Sequence, residues 1–165
     1  MAALTVGDSA PDFTLQTVNG SRFSLQEALR KGPVVLAFFK ISCPVCQFAF
    51  PYLEKLDTSY RSNTVTLVGV SQDSKKDTER FVREYGITFP VLLDDPQNYP
   101  VSNAYGLTNV PSIFWVEPGG EIQVSSVGWD RKEIERISSL MSELSSIPPA
   151  QIFAPGEKIP DYRPG

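Results

Sequence analysis

The chain's only two cysteines lie three positions apart, in Cys43-Pro44-Val45-Cys46. Thiolates are nucleophiles and soft metal ligands, so chemistry is sought here first. A structural zinc site takes four ligands, and no further cysteine and no histidine exist to complete one. A purely structural staple fits poorly too. Cross-link stabilisation grows with the length of the closed loop, and this loop is nearly the shortest possible. Reversible dithiol–disulfide chemistry remains. The absence of histidine also removes the commonest general base. Proton transfer therefore falls to carboxylates, lysine, tyrosine, thiols or water.

The flanking sequence gives the two sulfurs different tasks. The apolar run from Pro33 to Phe39 reads as a strand covered on both faces, ending just before the pair. A helix is predicted from Cys43 or Pro44 to about Tyr60, with Cys46, Phe50, Leu53, Leu56 and Tyr60 at core-facing spacing. Pro44 suits the first helical position, and Pro51 falls inside the helix, where it should kink it. A helix N-terminus offers unpaired amides and partial positive charge, which favour a thiolate. In such settings a thiol pKa falls from ~8.5 to roughly 3.5–7.5. Cys43 is therefore expected to attack. Cys46, about one turn deeper, is expected to resolve the mixed disulfide.

The other elements follow from period and punctuation. Phe13–Leu15 and Arg22–Ser24 flank Asn19-Gly20 as a short hairpin, and Ser24–Arg30 reads as a brief helix. Thr64–Ser71 reads as a strand, and Ser74-x-x-Asp77 caps a helix closing at Gly86. Val91–Leu93 is a short strand and Ser102–Tyr105 a helical turn. Ser112–Val116 and Glu121–Val127 form a hairpin around Pro118-Gly119-Gly120. A last helix opens at Asp130-x-x-Glu133, with Ile134, Ile137, Met141 and Leu144 on one face. This order predicts an α/β fold with a central mixed β-sheet flanked by helices. Residues 1–145 form one domain. Residues 146–165, rich in proline and without periodicity, form an extended tail.

Composition narrows the partners. A chain of 165 residues, 41% hydrophobic and 21% charged, suits one compact domain. Its net charge of −4 and lack of a basic block exclude nucleic acid as an obvious partner. Met1–Pro11 has no charged segment followed by an apolar one, and Val34–Phe39 is too short to span a bilayer. A cytoplasmic protein without an integral membrane segment is expected, or an exported one whose leader has been removed. No cofactor and no metal are expected. The oligomeric state is left open.

With its context, the cysteine pair resembles the thioredoxin superfamily, and more closely its redoxin branch of peroxiredoxins and TlpA-like exported reductases. The resemblance rests on Gly7-Asp8-Ser9-Ala10-Pro11-Asp12-Phe13, Val35–Phe39 leading into the pair, and Pro51-Tyr52-Leu53-Glu54 after it. Phe89-Pro90-Val91-Leu92 and Tyr105-Gly106-Leu107-Thr108-Asn109-Val110-Pro111 extend it, so that it spans Val6 to Leu144. It implies a thioredoxin-like fold and exchange with protein or peptide disulfides or dithiols, served by a separate electron donor or acceptor. It also implies that Pro111 is a cis-proline facing the cysteines, and that the Val110 backbone pairs with extended substrate.

Several positions depart from the family's pattern. Ala37 stands where many thioredoxins carry a buried acid, and Ser42 replaces a frequent tryptophan. Lys40 stands where peroxiredoxins carry threonine or serine, and Val110-Pro111 where their activating arginine is found. Lys40 either favours the Cys43 thiolate electrostatically or is a solvated lysine at a strand end. Glu54 is a weaker candidate as substitute proton carrier. Phe38, Phe39, Phe48, Phe50 and Trp115 read as core or site rim. Two rival readings stay open: a thiol peroxidase acting on hydroperoxides through Cys43, and a redox-inert module that binds a partner.

Overall fold

The computed structural model describes residues 2–61 and 64–165. In chain order the strands are β1 (Thr14–Gln16), β2 (Arg22–Ser24), β3 (Val34–Phe39), β4 (Thr66–Ser71), β5 (Val91–Leu93), β6 (Ser112–Val116), β7 (Ile122–Val127), β8 (Trp129–Asp130) and β9 (Tyr162–Arg163). The helices are α1 (Leu25–Leu29), α2 (Pro44–Ser59), α3 (Lys75–Glu84), α4 (Pro100–Ala104) and α5 (Arg131–Ser145).

The central sheet has the order β5-β4-β3-β6-β7. β3 runs parallel to β4 and antiparallel to β6, so the sheet is mixed about its middle strand. All six residues of β3 are buried, because successive side chains enter two separate cores. Val35, Ala37 and Phe39 join Phe50, Leu53 and Leu56 of α2 and Ile134, Ile137 and Met141 of α5. Val34, Leu36 and Phe38 join Leu25, Leu29, Tyr105 and Phe114 on the opposite face. β1 and β2 form the expected N-terminal hairpin. This is the thioredoxin-like α/β fold.

Two elements differ from the sequence expectation. The helical turn predicted over Ser102–Tyr105 begins earlier, since Pro100 supplies a preset φ at its first position. On α5 the buried stripe runs through Ile134, Ile137, Ser138, Met141 and Ser142. Leu144 falls on the flank of that stripe and is 45% exposed. The two serines take the buried flank instead, each hydroxyl finding a partner: Ser138 with Tyr60, and Ser142 with the Ile147 carbonyl.

Beyond α5 the chain folds back over α2. Ile152 enters the core, the Tyr52 hydroxyl donates to Glu157, and Trp129 Nε1 donates to the Pro160 carbonyl. The segment ends with β9 paired to β8. No helix among the described residues is long and apolar enough to cross a membrane.

Candidate active site

β3 ends at Phe39, and Lys40, Ile41 and Ser42 carry the chain to α2. Two side chains pin this short link. The Ile41 amide donates to Asp73 Oδ2 at 2.8 Å, and Gln47 Nε2 donates to the Ile41 carbonyl at 2.8 Å. Cys43 is then the N-cap of α2, with extended backbone, and Pro44 occupies the first turn. The Cys43 sulfur accepts from the Cys46 amide at 3.1 Å, as a serine or aspartate oxygen does at other helix starts.

Cys43 is partly exposed, whereas Cys46 is fully buried. Both are free thiols. Burial pushes the Cys46 thiol far above its ordinary pKa, and its hydrogen bond with the Cys43 side chain adds to the effect. The two sulfurs thus sit in opposite surroundings, one at the surface end of the helix and one inside.

The Val110–Pro111 bond is cis, and it places the Val110 carbonyl against the pair. The Cys43 thiol donates to that carbonyl at 3.4 Å. The loop carrying it is held by Ser112, whose hydroxyl donates to the Asn109 carbonyl, and by the Gly128 amide, which donates to the Pro111 carbonyl. Beside Cys43 opens a cleft of ≈ 430 Å³ bounded by Lys40, Pro44, Tyr99, Ser102 and Val110. The structure therefore brings together Cys43, Cys46, Pro44, Lys40 and Val110, with Pro111 behind the carbonyl. The Lys40 ammonium lies over the Tyr99 ring, 5.3 Å from its centroid.

Glu54 does not belong to this group. Its carboxylate accepts from the Thr88 amide at 2.8 Å and from the Thr88 hydroxyl at 2.5 Å, tying α2 to the loop before β5. Of the aromatics, Phe38, Phe39, Phe50 and Trp115 are core, and Phe48 is half-buried at the rim beside Trp129.

Sequence reasoning missed two contributors. Tyr99 adopts left-handed backbone (φ 47°), uncommon for a bulky residue, and so presents its ring under Lys40. Pro100 was the sole hint of a constrained turn there. The second is the end of the described chain. Arg163 stacks over Phe48 at 4.7 Å, and Gly165 lies so near the cis-proline loop that a Cβ there would come within 1.8 Å of the Val110 oxygen. Among the described residues no group of three or more histidine, cysteine or carboxylate side chains could hold a metal ion.

Comparison with known proteins agrees with this geometry. The ResA thiol-disulfide oxidoreductase of Geobacillus thermodenitrificans is 31% identical over 148 residues, covering 89% of this chain and 80% of the relative. The ResA protein of Bacillus subtilis is 33% identical over 121 residues, covering 73% of this chain and 66% of its own. A putative DsbE thiol:disulfide interchange protein from Chlorobium tepidum superposes with a TM-score of 0.75 at 24% identity, covering 86% of this chain and 99% of that one. At that identity the likeness speaks for the fold alone. Residues 6–125 match the AhpC/TSA family, and the chain belongs to that family, within the thioredoxin superfamily.

Proposed function

We propose that this protein is a thiol–disulfide oxidoreductase in which Cys43 exchanges with disulfides or dithiols of protein or peptide partners and Cys46 closes the cycle. The observation that carries the roles is the asymmetry of the pair. Cys43 lies at the mouth of a cleft with an amide aimed at its sulfur, while Cys46 is sealed beneath it.

In the reducing direction the Cys43 thiolate attacks one sulfur of the substrate. A Cys43–substrate bond forms, the substrate S–S bond breaks, and the departing sulfur takes up a proton. The Cys46 thiol then gives up its proton, and its sulfur attacks Cys43. That step breaks the mixed disulfide, releases the second substrate thiol, and leaves Cys43 and Cys46 joined. Two electrons have passed to the substrate, and a separate dithiol donor restores the pair. Run backwards, the same steps oxidise a substrate dithiol. The Val110 backbone is the edge along which an extended substrate aligns, with Pro111 fixing its direction. Lys40 stands close enough to the cleft to act on whatever binds beside Cys43.

The test is trapping. With a peptide disulfide, Cys46→Ser should accumulate a covalent adduct at Cys43, and Cys43→Ser should form none. Equal adduct yields from the two variants would remove the role assignment.

A further inference from the structure

The cleft beside Cys43 has one charged side chain on its walls. Lys40 supplies it, and no aspartate or glutamate side chain lines the space, whose rim is closed by Gly165. Two aspartates lie nearby but are engaged elsewhere. Asp94 is fully buried and accepts from the amides of Asp95, Val101 and Ser102 and from the Ser102 hydroxyl. Asp73 accepts from the Ile41 amide. Neither reaches the cleft surface.

The ammonium is also positioned. Tyr99 holds its ring under Lys40 from a left-handed backbone, a conformation uncommon for a bulky residue that persists where the surroundings enforce it. Here the Tyr99 amide donates to the Asp95 carbonyl at 2.8 Å, and the Asn103 amide donates to the Tyr99 carbonyl at 2.9 Å. A cation stacked on an aromatic face samples fewer positions than a free lysine. Its three donors can still reach an anion in the cleft.

We propose that this cleft selects substrates carrying an acidic residue next to the reacting cysteine, with Lys40 as the specificity-determining group and Tyr99 as the residue that positions it. The inference rests on the exchange reading above. Once a substrate sulfur is at Cys43, the neighbouring side chain has the cleft to enter. A carboxylate there meets an ammonium with no competing acidic side chain on the walls. A basic neighbour meets like charge, and is repelled even though the chain as a whole carries −4.

Two peptide disulfides, alike except for Glu or Lys beside the cysteine, test this on the reduced full chain. The second-order rate constant for the Glu peptide should exceed that for the Lys peptide by about tenfold at low salt, and the ratio should shrink as salt is added. Lys40→Glu should invert the ratio and Lys40→Met should level it. Tyr99→Leu, which keeps the charge but removes its platform, should lower the ratio without inverting it. Any influence of Lys40 on the Cys43 sulfur acts on both peptides alike and cancels in the ratio. Equal rates in the unaltered protein, or a ratio unmoved by Lys40→Glu, would overturn the proposal while leaving exchange itself standing. Exchange with neither peptide would overturn both.

Discussion

The Cys46 amide donates to the Cys43 sulfur at 3.1 Å, so the residue that carries the second thiol also holds the first. The same sulfur donates onward to the Val110 carbonyl at 3.4 Å. Cys43 therefore sits between a donor from its own helix and an acceptor from the cis-proline loop. A thiol can use both, whereas a thiolate keeps the donor and loses its reason to face the acceptor.

Reactivity toward alkylating agents should follow the exposure of the two sulfurs. In the reduced protein Cys43 should be modified first, and Cys46, at 0% exposure, should stay unmodified until the chain unfolds. Peptide mapping after brief iodoacetamide treatment checks this. Preferential labelling of Cys46 would reverse the assignment.

Cys46 should also make the reduced protein lose stability at alkaline pH. Its folded-state pKa is raised from 9.0, chiefly by burial, so above about pH 9 the unfolded chain releases a proton that the folded chain keeps. The unfolded state is then favoured, by up to about 1.4 kcal/mol per pH unit for one group. Stability is complete below pH 9 and falls above it. Burial of Tyr105 has the same sign, with onset near pH 10. Denaturant midpoints between pH 7 and 10 should fall more steeply for the reduced protein than for Cys46→Ala or for the oxidised protein, which has no thiol there. Parallel curves for all three would remove the buried-thiol explanation.

Tyr60 should matter more than its place at a helix end suggests. Its buried hydroxyl accepts from the Ala150 amide at 2.6 Å and shares a 2.8 Å hydrogen bond with Ser138. It joins α2, α5 and the returning chain at one point. Tyr60→Phe leaves those groups without a partner and should cost about 1–3 kcal/mol. The rate with a small disulfide should not change. An unaltered denaturant midpoint would show that water replaces the hydroxyl.

Peroxide should be a poor substrate beside a disulfide. Breaking an O–O bond needs donors that hold the peroxide and stabilise the departing oxygen. Against the Cys43 sulfur the structure offers the Val110 carbonyl, an acceptor, and Lys40 is the single cationic side chain on the cleft wall, with no arginine beside it. Stopped-flow oxidation of reduced protein by hydrogen peroxide should run near the rate of an ordinary thiolate, while an insulin interchain disulfide is reduced readily. A fast peroxide reaction with negligible insulin reduction would point to the peroxidase.

The parts legible in the sequence were those set by local repetition. β3 announced itself because a strand buried on both faces has no polar position to break its run, and α2 because Cys46, Phe50, Leu53, Leu56 and Tyr60 keep one face. Leu144 misled because a spacing of three or four residues fits the flank of a helical stripe as well as its centre. Tyr99 was hidden for another reason: its backbone conformation opposes its own preference and is imposed by hydrogen bonds to Asp95 and Asn103. The last twenty residues were illegible as packed structure because single anchors hold them, Ile152, Glu157 and the Pro160 carbonyl among them, each matched to a partner far away in sequence. Such contacts leave no period to read.

The place where Gly165 comes to rest sets a rule for handling the molecule. A side chain there would strike the Val110 oxygen, so any polypeptide continuing past Gly165 starts at the rim of the cleft rather than at a remote surface. An affinity tag fused at that point would compete with substrates for the entrance. A fluorophore attached there would instead be a gauge, its emission shifting as partners arrive and leave.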